Sequence, residues 1–406
     1  MTAVPDARLY WIWLQQRIPP GRPEAGRLLH DGVRPEQLYA ADKKALEKMG
    51  LARLTGLQDK SLAAAQTILK RCAAVGHVVL TPDDGGYPET LRALDNPPLV
   101  LYAEGEIPDW RRPAIGVVGT RRASPQGQCN AAALAAGLAA GGMLVISGGA
   151  EGIDTAAHRG AIQGGGVTVL VKPKALDDPY PPQSAPLRRE VVEHGGLLLS
   201  EYPPGWDKPC DFHVRNRLIA GLSLGVCLVE APGRSGSLIT AHAARDLGRE
   251  VFVLPGEVSA HKNDGGHEEV RAGAILITRA EQILQEYLDR FPGLLQPEAA
   301  SPAQQEMTAL WKRRAPRPVR REPARQERRE AETLPTPRET PAGLSSEAAA
   351  IYTALTQGPL SDEELAQRLG LGSFQLLPIC ICPALTELEV GGYIECLPGG
   401  AYTRAK

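Results

Sequence analysis

The central part of the chain alternates two hydrophobic patterns. Seven short runs are apolar at nearly every position: Ala114–Val118, Met143–Ile146, Val167–Val171, Leu197–Leu199, Val226–Val229, Val251–Leu254 and Ala274–Ile277. A continuous Val/Ile/Leu run without polar alternation is a strand buried on both faces, which predicts a parallel sheet. Stretches of helical character separate the runs. One starts at Ser124-Pro125, with a hydroxyl for the N-cap and a proline for the first turn. It continues rich in alanine, so it can pack close to the sheet. Strand, turn and helix in repetition predict an α/β domain over residues 76–290, with a doubly wound, mostly parallel sheet.

The flanks differ. Residues 1–75 read as short helices, with apolar positions at 62, 65, 68 and 69 giving helical spacing and Leu54-Thr55-Gly56-Leu57 a turn. A small helical bundle is the expectation here, although a Gly-centred turn with basic flanks also suits a sugar-phosphate backbone. Residues 291–343 are dominated by Pro, Arg and Glu, and their low apolar content predicts a disordered basic linker. Lys312 to Arg329 alone holds nine basic and two acidic residues, a charge run suited to a loose hold on nucleic acid or to a solvated spacer. Residues 344–406 read as three helices and a hairpin, a winged-helix pattern, with Ser361 capping a helix and Glu364 completing the box.

Composition narrows the function. The 406 residues carry 45 Lys+Arg against 47 Asp+Glu, which excludes a histone-like or acidic-tail protein. The charge is unevenly spread: residues 1–75 hold 12 basic and 7 acidic groups, and residues 344–406 hold 3 and 7. The recognition segment of a DNA-reading winged helix would be Ser373–Glu389, yet it has no Lys or Arg and contains two prolines. A partner-binding or autoregulatory surface is expected there instead. The 7 cysteines form no CxxC pair, which predicts neither a disulfide framework nor a zinc site and suits a reducing cytoplasm. No apolar run approaches the roughly 18 residues of a membrane span, and Leu9–Leu14 is too short for a signal-peptide core. The expectation is a cytoplasmic protein without a membrane partner, metal or cofactor.

Four loops carry the candidate chemistry. The first is Val118-Gly119-Thr120-Arg121-Arg122-Ala123-Ser124. The second is Ser147-Gly148-Gly149-Ala150-Glu151-Gly152-Ile153-Asp154. The third runs from Asp211 to Arg217, and the fourth is Pro232-Gly233-Arg234-Ser235-Gly236-Ser237-Leu238-Ile239-Thr240. In doubly wound sheets, ligands bind beyond the carboxyl ends of the strands. Glycines, helix N-termini and arginine forks there predict an anion-binding crevice. No G-x-x-x-x-G-K-[ST] or strand-linked G-x-G-x-x-G is present, so neither a P-loop nor a dinucleotide site is expected. The fourth loop resembles the PGGxGTxxE signature of lysine-decarboxylase-like nucleoside phosphoribohydrolases, with Thr240 where that signature has its catalytic Glu. A nucleotide hydrolase on this fold is the enzymatic alternative.

Taken together, the motifs resemble the DNA-processing protein A (DprA/Smf) family. The match runs from Tyr87-Pro88-Glu89-Thr90-Leu91 and Pro97-Pro98-Leu99-Val100-Leu101-Tyr102, through the four loops, to Gly248-Arg249-Glu250-Val251-Phe252-Val253-Leu254-Pro255-Gly256. The resemblance implies a helical SAM-like domain, an extended Rossmann domain and a winged helix. It also implies a non-enzymatic role: binding and protecting single-stranded DNA and loading RecA onto it, chiefly in natural transformation, as a homodimer through the Rossmann domain. The chain departs from the pattern at Glu151, where the family commonly has Arg and where a carboxylate repels phosphate. Lys172 and Lys174 are expected to restore the lost positive field. His267 replaces a common Asn.

The expected DNA contacts are therefore Gly119, Thr120, Arg121, Ser147, Gly148, Gly149, Lys172, Lys174, Phe212, Arg215, Asn216, Arg217, Ser235, Gly236 and Ser237. Arg121 is the first expected phosphate contact. Arg215 and Arg217, two apart, point to different helix faces. One is expected to meet DNA and the other to pair with Glu201 or Glu230, and the spacing does not say which. Asn216 either bonds a base or ties loops together. Phe212 is a base-stacking residue or a buried anchor, with Trp206, Tyr202 and Tyr180 as weaker stacking candidates. Ser235 and Ser237 donate to phosphate or cap a helix. Glu201 and Glu230 are read as acids neutralising buried arginine, and His158 as a core histidine.

Overall fold

The structure is a computed structural model that describes residues 6–51, 53–207, 211–314, 341, 344–369, 382–396 and 401–405. The chain divides into two compact units, Met1–Pro318 and Val319–Lys406.

The first unit is built on a nine-stranded sheet in the order β1-β2-β6-β5-β4-β3-β7-β8-β9. Its strands are β1 Val78–Leu80, β2 Leu101–Gly105, β3 Ala114–Val118, β4 Leu144–Ser147, β5 Thr168–Val171, β6 Leu197–Ser200, β7 Gly225–Leu228, β8 Glu250–Val253 and β9 Ile275–Leu276. Strands β3 to β9 run parallel, while β1 and β2 add an antiparallel edge beside β6. All seven apolar runs are strands, within a residue or two at each end. The antiparallel pair was not marked by any run.

The helices are α1 Arg8–Arg17, α2 Pro23–His30, α3 Pro35–Ala40, α4 Lys43–Lys48, α5 Ala63–Val75, α6 Glu89–Arg92, α7 Pro125–Ala140, α8 Ile153–Gln163, α9 Ala185–Glu193, α10 Phe212–Leu222, α11 Ser237–Asp246, α12 Asp264–Arg271, α13 Ala280–Tyr287 and α14 Pro297–Arg314. Strand periodicity sorts the core. Ile115 and Val117 pack with α7, α8, α13 and α14 on one face, while Ala114 and Val118 pack with α10 and α11 on the other. A side chain at Gly116 would meet Ile219 of α10 and Val226, so this glycine sets how closely the helix approaches the sheet.

Two features differ from the sequence expectation. The N-terminal helices do not form a separate body. Trp11, Trp13 and Leu14 share one core with Val79, Tyr102 and Leu198 of the sheet. Gln15 donates from Nε2 to the Val100 and Glu201 carbonyls at 3.2 and 2.9 Å. The expected linker also begins later than residue 291, because α14 is folded. Leu295, Ala300 and Met307 are buried against the α7 side of the core. A Cβ on Gly137 of α7 would lie 3.0 Å from the Ala300 carbonyl oxygen, so a small residue permits that approach. Three well-placed apolar side chains suffice when the facing helix is flat, and bulk composition does not register this. Residues 315–340 of the expected linker lie outside the described residues.

In the second unit, β10 Leu360–Ser361, β12 Ala401–Arg404 and β11 Ile394–Cys396 form an antiparallel sheet in that order. It accompanies helices α15 Ser346–Ala354, α16 Asp362–Arg368 and α17 Cys382–Val390. The capping box is formed: the Glu364 N–H donates to Ser361 Oγ at 3.3 Å and the Ser361 N–H to Glu364 Oε2 at 2.7 Å. Residues 373–381 of the expected recognition segment lie outside the described residues.

Candidate nucleic-acid interface

The strand order reverses between β3 and β7, the switch point of the sheet. The four loops meet along the carboxyl ends of β3, β4, β5 and β7, and buried side chains tie them together. Glu230, just past β7, accepts from the Ser124 N–H at 3.0 Å and from its hydroxyl at 2.5 Å. Ser124 Oγ in turn accepts from the Gly127 N–H at 2.9 Å, the N-cap of α7. The Thr120 N–H donates to the Glu230 carbonyl at 2.8 Å, and the Ile153 N–H to the Thr120 carbonyl at 3.3 Å. Among the described residues no arginine pairs with Glu230: it joins the first loop to β7.

The third loop supplies a second tie. Arg215 is buried, and its Nη1 donates to the carbonyls of Gly148 at 2.6 Å and Val171 at 2.8 Å, the ends of β4 and β5. Its Nε donates to Asn216 Oδ1 at 2.9 Å, and Asn216 Nδ2 reaches the Gly236 carbonyl at 3.5 Å. One turn of α10 thus holds three loops. Burial lowers the Arg215 pKa to about 10, opposed by Asp154 beside it. Burial also raises the Asp154 carboxyl, and Arg215 pulls it back. Arg217 faces the other way and lies 2.5 Å from Glu201 in a buried ion pair. Burial pushes the Glu201 carboxyl up and Arg217 pulls it back. Of the two arginines, Arg217 is the one paired with a strand-end acid, and Arg215 reaches the crevice.

Several expected contacts turn out to be scaffold. Gly119 is half-buried, and a Cβ there would sit 2.6 Å from Ile153 Cγ1 and 2.8 Å from the Glu230 carbonyl oxygen, so only glycine fits between the first loop, α8 and β7. Ser147 is fully buried and donates to the Val117 carbonyl at 2.6 Å. Lys172 is buried, with its amine on the carbonyls of Leu176 and Asp178 at 3.1 and 2.6 Å. Burial lowers its pKa to about 8. Lys172 therefore adds no accessible charge to the groove, and the compensation expected for Glu151 fails at this position. Lys174 lies 3.3 Å from Asp178, which offsets its charge. Thr120 Oγ1 accepts from the Arg122 N–H at 3.2 Å. Ser235 and Ser237 share a hydroxyl hydrogen bond of 2.8 Å at the start of α11, where Gly236 is exposed. His158 is a core histidine. The Thr168 hydroxyl donates to the Val145 carbonyl, so His158 Nδ1 donates to that hydroxyl at 2.7 Å. Burial lowers the His158 pKa to about 3, which keeps the ring neutral.

What remains accessible is an open cleft of about 280 Å³ over the ends of β3, β4 and β5, next to α10. Arg121 is exposed and its guanidinium sits 5.2 Å from the Phe212 ring centre. Phe212 meets Tyr180 edge to face at 6.5 Å, and Lys174 Nζ lies 4.9 Å from the Tyr180 ring centre. Gly148, Gly149 and Glu151 also line it. Phe212 is half-buried, so it is both anchor and accessible face. The segment Tyr180–Gln183 also lines the cleft. Only Tyr180 of it drew notice in the sequence, since no glycine or basic pattern marks it. Ser235, Gly236 and Ser237 sit on the neighbouring loop and do not line this cleft. Among the described residues no cluster of His, Cys, Asp or Glu suits a metal ion, and no helix is long and apolar enough to cross a membrane.

Comparison with known proteins adds the decisive observation. Residues 78–288 match the family model described as DNA recombination-mediator protein A. The chain belongs to that family. Those residues contain all four loops and the cleft. Residues 335–400 match the DprA winged helix domain. Protein Smf of Escherichia coli K12 is 34% identical over 336 residues, spanning 81% of this chain and 78% of that one. The DNA processing protein DprA of Streptococcus pneumoniae R6 is 40% identical over 206 residues, 50% of this chain and 72% of its own. The solved structure of DNA processing protein A from Streptococcus pneumoniae superposes with a TM-score of 0.59 at 31% identity, covering 68% of this chain and 97% of that one. The fold, the winged helix and a role in DNA recombination follow from this membership.

Proposed function

We propose that the chain binds single-stranded DNA in the cleft and acts as a recombination mediator, protecting the strand and loading RecA onto it, including strands taken up in transformation. One observation carries the binding reading. Arg121, the accessible guanidinium, is stacked on Phe212, whose ring meets Tyr180, on a rim that the buried ties hold fixed. A guanidinium fork takes a phosphate, and aromatic faces take bases whatever their sequence. Such rings are reachable by unstacked bases and not by bases inside a duplex. The support for RecA loading is the family's description as a recombination mediator, and homodimerisation through the α/β unit in a cytoplasmic setting belongs to the same reading. The hydrolase alternative has no support at Glu230, since Ser124 occupies its carboxylate.

The test is a titration of labelled oligo-dT and of a duplex of equal length, with wild-type protein and Arg121→Ala. Tight binding of the single strand, weak binding of the duplex and loss of affinity in Arg121→Ala are expected. Equal affinity for strand and duplex, or no effect of Arg121→Ala, removes the reading. RecA filament growth on the same strand, with and without the protein, separates loading from binding.

A further inference from the structure

The cleft contains a carboxylate that the binding reading leaves unused. Glu151 is exposed and lines the same cleft as Arg121, Tyr180 and Phe212, and no ion pair holds it among the described residues. Two further cations beside the cleft are engaged. Lys174 pairs with Asp178, and Arg215 is buried on two backbone carbonyls. Among the described residues, the cleft therefore presents a ligand with the Phe212–Tyr180 pair, the exposed Arg121 guanidinium and the Glu151 carboxylate. A groove that gripped only phosphates would be weakened by that carboxylate, through like-charge repulsion. A base stacked on the rings, by contrast, presents an edge with N–H donors, and unpaired bases are read on their Watson–Crick edges.

The chemistry of the edge selects the base. Guanine presents N1–H and an N2 amino group side by side, which match the two oxygens of a carboxylate. Cytosine and adenine present one amino group beside a ring acceptor, and thymine presents one N–H between two carbonyls that a carboxylate repels. At about 280 Å³ the cleft is slightly below the roughly 300–1,000 Å³ usual for small-molecule pockets, a size for one nucleotide rather than a run of them. We propose that Glu151 makes the cleft guanine-selective: a guanine stacks on one ring of the Phe212–Tyr180 pair and meets the other edge to face, since the two rings stand at 75° to each other, donates its N1–H and N2–H to the Glu151 carboxylate, and its phosphate meets Arg121. The inference rests on the single-strand reading above.

Three labelled strands test it on the full chain by fluorescence anisotropy: oligo-dT, the same strand with one central guanine, and the same strand with one central hypoxanthine, which lacks the N2 amino group. The guanine strand is expected to bind about fivefold tighter than oligo-dT or better, with the hypoxanthine strand between them. Glu151→Ala is expected to bring the three together. Equal wild-type affinities overturn the proposal, as does a guanine preference that survives Glu151→Ala. A uniform tightening of all three strands in Glu151→Ala with no wild-type preference also overturns it, since the carboxylate would then only repel phosphate. If wild-type protein binds no strand, or Arg121→Ala has no effect, the single-strand reading itself fails. An intact Arg121 effect without guanine preference defeats only the role of Glu151.

Discussion

Arg121 and Arg217 carry the same guanidinium near the same sheet edge, and burial gives them opposite roles. Arg217 lies under the loops against the buried Glu201 carboxylate. Arg121 lies on the rim, exposed over Phe212. Removing a buried ion's partner leaves a charge that water cannot reach, whereas removing an exposed cation leaves the fold untouched. The buried ion pair is thus a stability device and the exposed rim a binding device. Substitutions should fall cleanly into one class or the other.

The largest expected effect is on the buried pair. Arg217→Ala strands Glu201 and should cost about 3–5 kcal/mol of folding stability, measured by chemical denaturation. The paired replacement Arg217→Met with Glu201→Leu should recover much of that loss. Oligonucleotide affinity per folded molecule should stay unchanged, and a selective loss of affinity would break the division. On the rim, Phe212→Ala should weaken single-strand binding by about 1–3 kcal/mol, with a smaller loss of stability than Arg217→Ala because the ring is only half-buried.

Acid tests the buried groups. The His158 pKa is lowered to about 3 by burial, against about 6.5 in the unfolded chain. Between those values the unfolded chain binds a proton that the folded chain refuses. Stability is therefore full above the unfolded value and falls as pH falls through the window. The loss attributable to this group between pH 7 and 5 is about 2 kcal/mol. His158→Gln should flatten that part of the stability profile, and an unchanged profile would contradict the assignment. Ser124→Ala removes the α7 cap and one Glu230 contact and should cost about 1 kcal/mol, read as a shift in denaturation midpoint.

This division explains which features the sequence made legible. Parallel strands buried on both faces leave an uninterrupted apolar run, so β3 to β9 were readable. Ser124 and Ser361 announce their helices because a cap needs a hydroxyl at one position. Strand β1 has three residues and lies at the sheet edge beside β2, too short for a pattern. Helix α14 was hidden because its few apolar side chains meet a helix of small residues. At the site, the four loops and Arg121 were legible, but their depth was not. A glycine or lysine at a strand end looks the same in sequence whether it faces a ligand or a neighbouring backbone. Ser147 and Lys172 face neighbours, and only the fold separates them from Arg121.

The most direct measurement is the salt dependence of oligo-dT binding by wild-type protein, Arg121→Ala and Lys172→Ala. If the rim alone meets phosphate, Arg121→Ala lowers the slope of log affinity against log salt by about 0.7, and Lys172→Ala leaves the slope unchanged. A slope that drops in Lys172→Ala, or stays fixed in Arg121→Ala, contradicts the account.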